Sequence, residues 1–259
     1  MRRAWNAVLM GVGIVLFAAI CFTWAVVSWL LWPLLPARAG RRVGRLGAMA
    51  GFRGWLSTLE FLGAWRLDLS ALDELKSQGP LIVAPNHPGL LDAVLMVSRM
   101  PNAVCVMKNS LLGYFLLAPA ARLARYVPND SLLKLVTRAH EELHRGGQLL
   151  LFPEGTRTVG GPVGPLTEAV GAISKRTKVP VQVVILEASA PFLGKHWPAW
   201  APPPFPVTYR ARLGRRFEPP QDVRAFTEEL DRHFRREIAA RTAEESIVNV
   251  VEDAHQLRG

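Results

Sequence analysis

Cysteine is nearly missing: the 259 residues hold two, Cys21 and Cys105. Two thiols build no disulfide framework, and without a C-x-x-C pair nothing suggests structural zinc. Carboxylates are missing from residues 1–59, where seven arginines stand alone. Between Arg3 and Arg38 there are 34 residues without charge of either sign. No internal repeat is present. What is abundant is apolar: 50% of the residues are hydrophobic and 20% charged, enough for a sizeable core and too little charge for disorder. The length suits one domain, or one domain with an appendage. The net charge is +10, from 31 basic and 21 acidic side chains; subtracting the seven N-terminal arginines leaves 24 against 21, or +3, for the other 200 residues. Basicity concentrated beside an apolar run fits a membrane surface rather than nucleic acid.

The stretch Val8–Leu35 is long enough for a membrane helix, since about 20 apolar residues cross the hydrocarbon core. It is too long for a secretory signal, whose apolar part is about 7–15 residues. Trp5, Trp29 and Trp32 fall near its ends, as in an interfacial belt, whereas Trp24 does not. Pro33 and Pro36 end or kink the helix. Arg38, Arg41, Arg42, Arg45 and Arg53 outnumber Arg2 and Arg3, so the positive-inside rule puts the following body in the cytoplasm. Leu46–Trp65 reads as an amphipathic interfacial helix. A single span and a re-entrant helical hairpin fit residues 4–65 equally well. The division expected is therefore an anchor over residues 1–65 and a soluble domain over 66–259.

From about Arg66, short β-rich runs alternate with helical ones. Pro80–Pro85, Ala103–Met107, Gln148–Phe152 and Val179–Leu186 read as strands. Leu90–Arg99, Ser131–Arg145, Thr167–Thr177 and Val223–Thr242 read as helices, with helix-like sequence also between Met107 and Tyr126. Asn129, Asp130 or Ser131 caps the helix that Gly146–Gly147 stops. Residues 190–206, with six prolines, form a rigid loop. Val207–Leu213 reads as an edge strand. The alternation predicts an α/β fold with a largely parallel sheet.

Two segments carry chemistry. In Asn86-His87-Pro88-Gly89-Leu90-Leu91-Asp92, a histidine ends a strand. Pro88 and Gly89 turn the chain so that Asp92 falls in the next helix's first turn and folds back toward the imidazole. A carboxylate on one ring nitrogen fixes the tautomer and frees the other nitrogen as a general base. The spacing also admits a loop histidine beside a capping Asp. In Phe152-Pro153-Glu154-Gly155-Thr156-Arg157, Gly155 permits close backbone approach and Arg157 offers a fork for phosphate or carboxylate. Alone it also reads as a surface turn with a solvated Arg–Glu pair. Both segments follow strands of a parallel sheet, where ligands gather at the carboxyl ends, so one crevice is expected to hold both.

The pairing of NHPGLLD with FPEGTR resembles the lysophospholipid acyltransferase superfamily, over roughly residues 75–215. Lys108–Gly113 matches the start of that family's third block and Val179-Pro180-Val181 its fourth. The resemblance implies a glycerolipid-acyltransferase-like domain. His87 is then the base and Asp92 its orienting partner. Glu154, Gly155, Thr156 and Arg157 form the acceptor-binding block, with Lys108 as a second phosphate contact. The reaction implied moves a fatty acyl group from acyl-CoA or acyl carrier protein to a hydroxyl of 1-acylglycerol-3-phosphate or a related acceptor. No metal or further cofactor is needed. The partners implied are membrane lipids and the acyl carrier, with no nucleic acid. The place implied is a bacterial inner membrane, catalytic domain on the cytoplasmic face. Oligomeric state stays open.

Two departures bear on the acceptor. The third block ends Tyr126-Val127-Pro128-Asn129-Asp130, without the family's usual basic residue. After FPEGTR the family often places Phe-(Lys/Arg)-x-Gly, whereas Pro165-Leu166-Thr167-Glu168-Ala169 brings an acid. Both favour a less anionic acceptor, such as a specialised non-phosphate lipid of aryl-polyene or ornithine type. Two rivals belong to other classes. His140-Glu141-Glu142-Leu143-His144 is a literal zincin match that allows a zinc hydrolase, although its helix stops at once in Gly-Gly and no third ligand follows. A non-catalytic lipid-binding module is the other, and the intact His-Asp pair opposes it.

Overall fold

The computed structural model describes residues 2–198 and 201–256. Met1, two residues of the proline-rich loop and the last three thus lie outside the described residues. The chain opens with α1 (Arg2–Leu31) and α2 (Ala37–Phe61), joined through Pro33 and Pro36. They pack antiparallel, for Gly13 faces Leu59, Gly51 faces Ile20 and Gly47 faces Trp24. The two helices thus form an antiparallel pair, which suits a single span followed by a second helix as well as a re-entrant hairpin. Among the described residues α1 is the one helix long and apolar enough to cross a membrane. Trp5, Trp29 and Trp32 are exposed on it, while Trp24 turns inward onto Gly47. The second helix begins at Ala37, nine residues before the Leu46 expected, so the arginines lie on a helix and not in a collar between helices.

The body is a seven-stranded sheet, in the order β1-β7-β6-β2-β5-β3-β4. The strands are β1 (Trp65–Asp68), β2 (Leu81–Pro85), β3 (Ala103–Lys108), β4 (Val127–Asn129), β5 (Gln148–Leu150), β6 (Val181–Ala188) and β7 (Val207–Phe217). All neighbours are parallel except β6 and β7. Helices α3 (Asp92–Val97), α4 (Ala118–Ala124), α5 (Leu132–His144), α6 (Ala169–Thr177) and α7 (Val223–Gln256) complete the fold. Strand β2 is buried at every position, as a central parallel strand must be when both faces are covered. One core, including Val83, Leu95, Val184 and Tyr209, lies under the hairpin and α3. The other, including Ile82, Ala139, Ile173, Val183 and Phe234, lies under α5, α6 and α7.

Three expectations are corrected. Strand β7 is not an edge, because β1 pairs with it in parallel from Trp65↔Val207 to Asp68↔Arg210. Strands β1 and β4, of four and three residues, are too short to show a period. The segment after β3 is a 3-10 turn (Asn109–Gly113) followed by the short α4, not one helix. Helix α5 follows its signals: Ser131 caps it by accepting from the Lys134 N–H, and Gly146 ends it at φ +85°.

One arginine ties hairpin to body. Arg45 is 3% exposed. Its Nε donates to the Ala124 carbonyl (3.1 Å) and its Nη1 to Asn102 Oδ1 (2.7 Å), while Nη2 pairs with Glu142. Beside it, Gly44 lets α2 touch α4, since a Cβ there would fall 2.5 Å from the Ala124 nitrogen. Arg45 is therefore a buried strut, not a headgroup contact. Removing one member of a buried pair strands the other charge, at about 3–5 kcal/mol. Arg45→Met should lower unfolding stability in detergent by that amount. The double variant Arg45→Met/Glu142→Leu should recover most of it, as read by circular dichroism against denaturant.

Candidate active site

The parallel order places the carboxyl ends of β2, β5 and β3 side by side. His87 follows β2 and Glu154 follows β5, so neighbouring strands deliver both motifs to one crevice. Asn86 sets the histidine's position. Its amide donates to the Leu186 carbonyl (3.0 Å) and its Oδ1 accepts the Leu186 N–H (2.7 Å), extending the sheet one residue beyond β2. The sequence signal for this role was an Asn at a strand end, whose amide imitates a peptide group.

His87 Nδ1 lies 2.8 Å from Asp92 Oδ2, which also accepts the Gly89 N–H at 2.8 Å. Pro88 and Gly89 make the turn, and Asp92 opens α3 as the spacing requires. The imidazole stacks on Phe152, with centroids 4.0 Å apart and planes at 22°. Ring and carboxylate fix each other, leaving Nε2 as the nitrogen for a substrate proton. Asp92 is 3% exposed. Burial pushes its carboxyl above the ordinary value, while the hydrogen bond and charge of His87 and the Gly89 N–H pull the other way. A carboxyl that binds its proton more tightly folded than unfolded costs stability as pH rises from its unfolded to its folded value; the cost is absent below the unfolded value and constant above the folded one. The fold therefore bears a cost for the ionised form of Asp92, which the His87 ring and the Gly89 N–H offset in part.

Glu154 is 5% exposed and fully occupied. Its Oε1 accepts the His87 N–H (2.8 Å), and its Oε2 accepts from Thr158 Oγ1 (2.8 Å) and the Gly164 N–H (2.7 Å). The Thr158 N–H in turn donates to the His87 carbonyl at 2.8 Å. The two loops are therefore laced together on both sides of His87, and Glu154 is a strut rather than a charge offered to a ligand. Gly155 takes φ +66°, which only glycine adopts without strain. Gly155 and Thr156 are exposed beside it. Arg157 Nη1 donates to the carbonyls of Leu193 (3.0 Å) and Gly194 (3.3 Å), clamping the proline-rich loop over the crevice. Among the described residues its other guanidinium nitrogens make no hydrogen bond. Lys108 is exposed at the end of β3, on the same sheet edge but two strands from β2, roughly 10 Å at the usual spacing. It does not touch the histidine pair.

The zincin-like segment is structural. Glu142 pairs with Arg45, Glu141 with Arg145, and the His140 and His144 rings pack edge to face. Among the described residues no group of three His, Cys, Asp or Glu side chains is placed to hold a metal. Glu154→Gln tests the lacing, because an amide has one acceptor oxygen where three donors converge. Unfolding stability should fall by about 2 kcal/mol or more. Amide hydrogen exchange should quicken over residues 153–165 while α5 and α6 stay protected.

Residues 66–187 match the family model described as Acyltransferase. The 1-acyl-sn-glycerol-3-phosphate acyltransferase of Pseudomonas aeruginosa is 26% identical over 208 residues, covering 77% of this chain and 76% of that protein. The human 1-acyl-sn-glycerol-3-phosphate acyltransferase beta is 20% identical over 186 residues, covering 69% of this chain and 65% of that protein. The crystal structure of the 1-acyl-sn-glycerophosphate acyltransferase PlsC from Thermotoga maritima superposes with a TM-score of 0.67 at 17% identity, over 94% of this chain and 98% of that one. That likeness speaks for the fold alone. Taken with the family match over the two strand-end motifs, the chain is an acyltransferase similar to the PlsC-like 1-acylglycerol-3-phosphate acyltransferases.

Proposed function

We propose that this chain is a membrane-bound enzyme of phospholipid synthesis. It would esterify a lysophospholipid hydroxyl, that of 1-acylglycerol-3-phosphate, with a fatty acyl group from acyl-CoA or acyl carrier protein. The observation that carries the reading is the oriented His87–Asp92 pair at 2.8 Å, on the same edge as Arg157. His87 Nε2 takes the proton of the acceptor hydroxyl. The oxygen attacks the thioester carbonyl, an O–C bond forms, the C–S bond breaks, and the proton leaves on the thiolate. Asp92 keeps the imidazole in the right tautomer and balances its transient charge. The free side of the Arg157 fork and Lys108 supply positive charge for an acceptor phosphate.

An apolar cavity of about 330 Å³ lies between the hairpin and this edge. Phe17, Ala18, Trp55 and Trp65 line it together with Leu90 and Leu193, which flank the crevice. It offers an acyl chain a bed that reaches Leu90 and Leu91, in the segment between His87 and Asp92. The rim is apolar too: Leu90, Tyr114, Phe115, Leu132 and Leu133 are exposed around the same edge. With α1, this rim supports a bilayer as the surface from which the lipid enters.

A non-phosphate acceptor is the second reading. Glu168 is exposed at the start of α6, where a basic segment would meet an anionic headgroup. Thiol release from a long-chain acyl thioester, with 1-acylglycerol-3-phosphate or its phosphate-free counterpart, separates the two. The first reading fails if the phosphate-free acceptor is the better one.

His87→Ala should lower kcat by about 10²–10⁴, the worth of a general base. Asp92→Asn should lower it by up to about 10⁴, as wrong-tautomer variants do in other histidine–carboxylate pairs, yet leave thermal stability equal or higher because a buried charge is gone. Equal release by wild type and His87→Ala would sink the mechanism. Ala18→Phe should shrink the apolar cavity and lower kcat/KM for long-chain donors more than for short ones, at about 1–3 kcal/mol per methylene that no longer fits.

A further inference from the structure

Asp92 also lines a second cavity, of about 320 Å³, separate from the apolar one. Its wall includes Gly89, Leu91, Glu187, Phe192 and Tyr209. Tyr209 stands on β7 in register with Ala188 of β6 and Leu67 of β1. Its ring packs edge-on against Trp65, with centroids 5.5 Å apart. It is 3% exposed, and its hydroxyl has no hydrogen-bond partner among the described residues. Asp92 is complementary: both of its side-chain hydrogen bonds fall on Oδ2, and among the described residues no donor reaches Oδ1. A buried donor without a partner and a carboxylate oxygen open to the cavity thus meet in one space roomy enough for water.

We propose that Tyr209 is a positioning residue of the histidine–aspartate pair, its hydroxyl donating through water in this cavity to Oδ1 of Asp92. This rests on the reading of His87 as the base. The link fills the carboxylate's open oxygen, so that Oδ2 stays turned to Nδ1 of His87, and it stabilises the ionised form against burial. Burial and the nearby Asp92 charge both push the Tyr209 phenol above its ordinary value, so it remains a donor across the working pH range.

Other charges around the pair are already committed. Glu154 is held by three donors, and Arg157 is clamped on the proline-rich loop. Glu187 pairs with Arg212, Asp68 with Arg210, and Asp73 with Arg99. On α2, Arg53 and Glu60 are exposed, as are Lys195 and His196 on the loop. None of these replaces a donor to Oδ1.

Tyr209→Phe keeps the ring and its packing on Trp65 while removing the hydroxyl. The measurement is the pH dependence of kcat/KM for thiol release by the full chain in detergent, with thermal unfolding alongside. Without the donor, the pair holds a proton more tightly, and the protonated pair is no base. The acid limb should therefore move to higher pH by about half a unit to one unit, the worth of one hydrogen bond. The unfolding midpoint should stay at the wild-type value. An unmoved acid limb overturns the proposal, even if kcat falls, because a purely structural tyrosine would lower activity without shifting the titration. A Tyr209→Phe chain that does not fold overturns it as well, by making the hydroxyl a determinant of the fold. His87→Ala read in parallel separates the two levels. Full activity there removes the base itself. An inactive His87→Ala with an unmoved Tyr209→Phe profile removes only the tyrosine's role.

Discussion

A single carboxylate, Glu154, accepts the His87 N–H, the Thr158 hydroxyl and the Gly164 N–H in a site shut off from water. Two loops leaving adjacent parallel strands have no backbone ladder to hold them in register once the strands end. Charge-assisted hydrogen bonds from a buried acceptor supply that register instead. With Asn86 pairing to Leu186 on the other side, the histidine is braced by both neighbouring strands before any substrate arrives. The 2.8 Å contact between His87 and Asp92 rests on this bracing.

The second constraint is the union of hairpin and body. Gly44 removes the side chain that would keep α2 off α4, and Arg45 then reaches Ala124, Asn102 and Glu142. Hydrophobic docking of two helices is weakly directional, whereas a buried arginine satisfied by three acceptors admits one pose. That pose places the apolar faces of α1 and α2 against Leu90, Leu91 and Leu193, creating the apolar cavity beside the crevice. Hairpin and crevice are mechanically one piece.

Burial works against ionisation at Asp92, and the site accepts that cost. The same dry surroundings that raise its carboxyl also strengthen its hold on the imidazole, because a low local dielectric sharpens every interaction within it. Stability is given up locally for orientation, as expected where a group is placed for chemistry rather than for the fold.

The alternation of strands and helices, the α5 cap at Ser131, the long apolar helix and the two strand-end motifs could all be read from the chain. Each is a local pattern of period, cap or turn. The bringing of Asp92 onto His87 belongs here too, since five residues and a Pro-Gly turn allow little else. What the sequence could not show depends on partners far away along the chain. Short β1 and β4 have too few residues for a pattern, and β7 looks like an edge until β1, more than 100 residues earlier, covers it. Arg45 reads as one more surface arginine until Glu142 lies beside it. Glu154 reads as a ligand-facing acid until three donors converge on it. Tyr209 carries no motif, and only the fold sets its hydroxyl in one cavity with Asp92. Local propensity determined the elements and the chemistry at their ends. Long-range burial decided which charges are struts and which are left for a substrate, because the cost of an unpaired buried charge is settled only when the distant partner arrives.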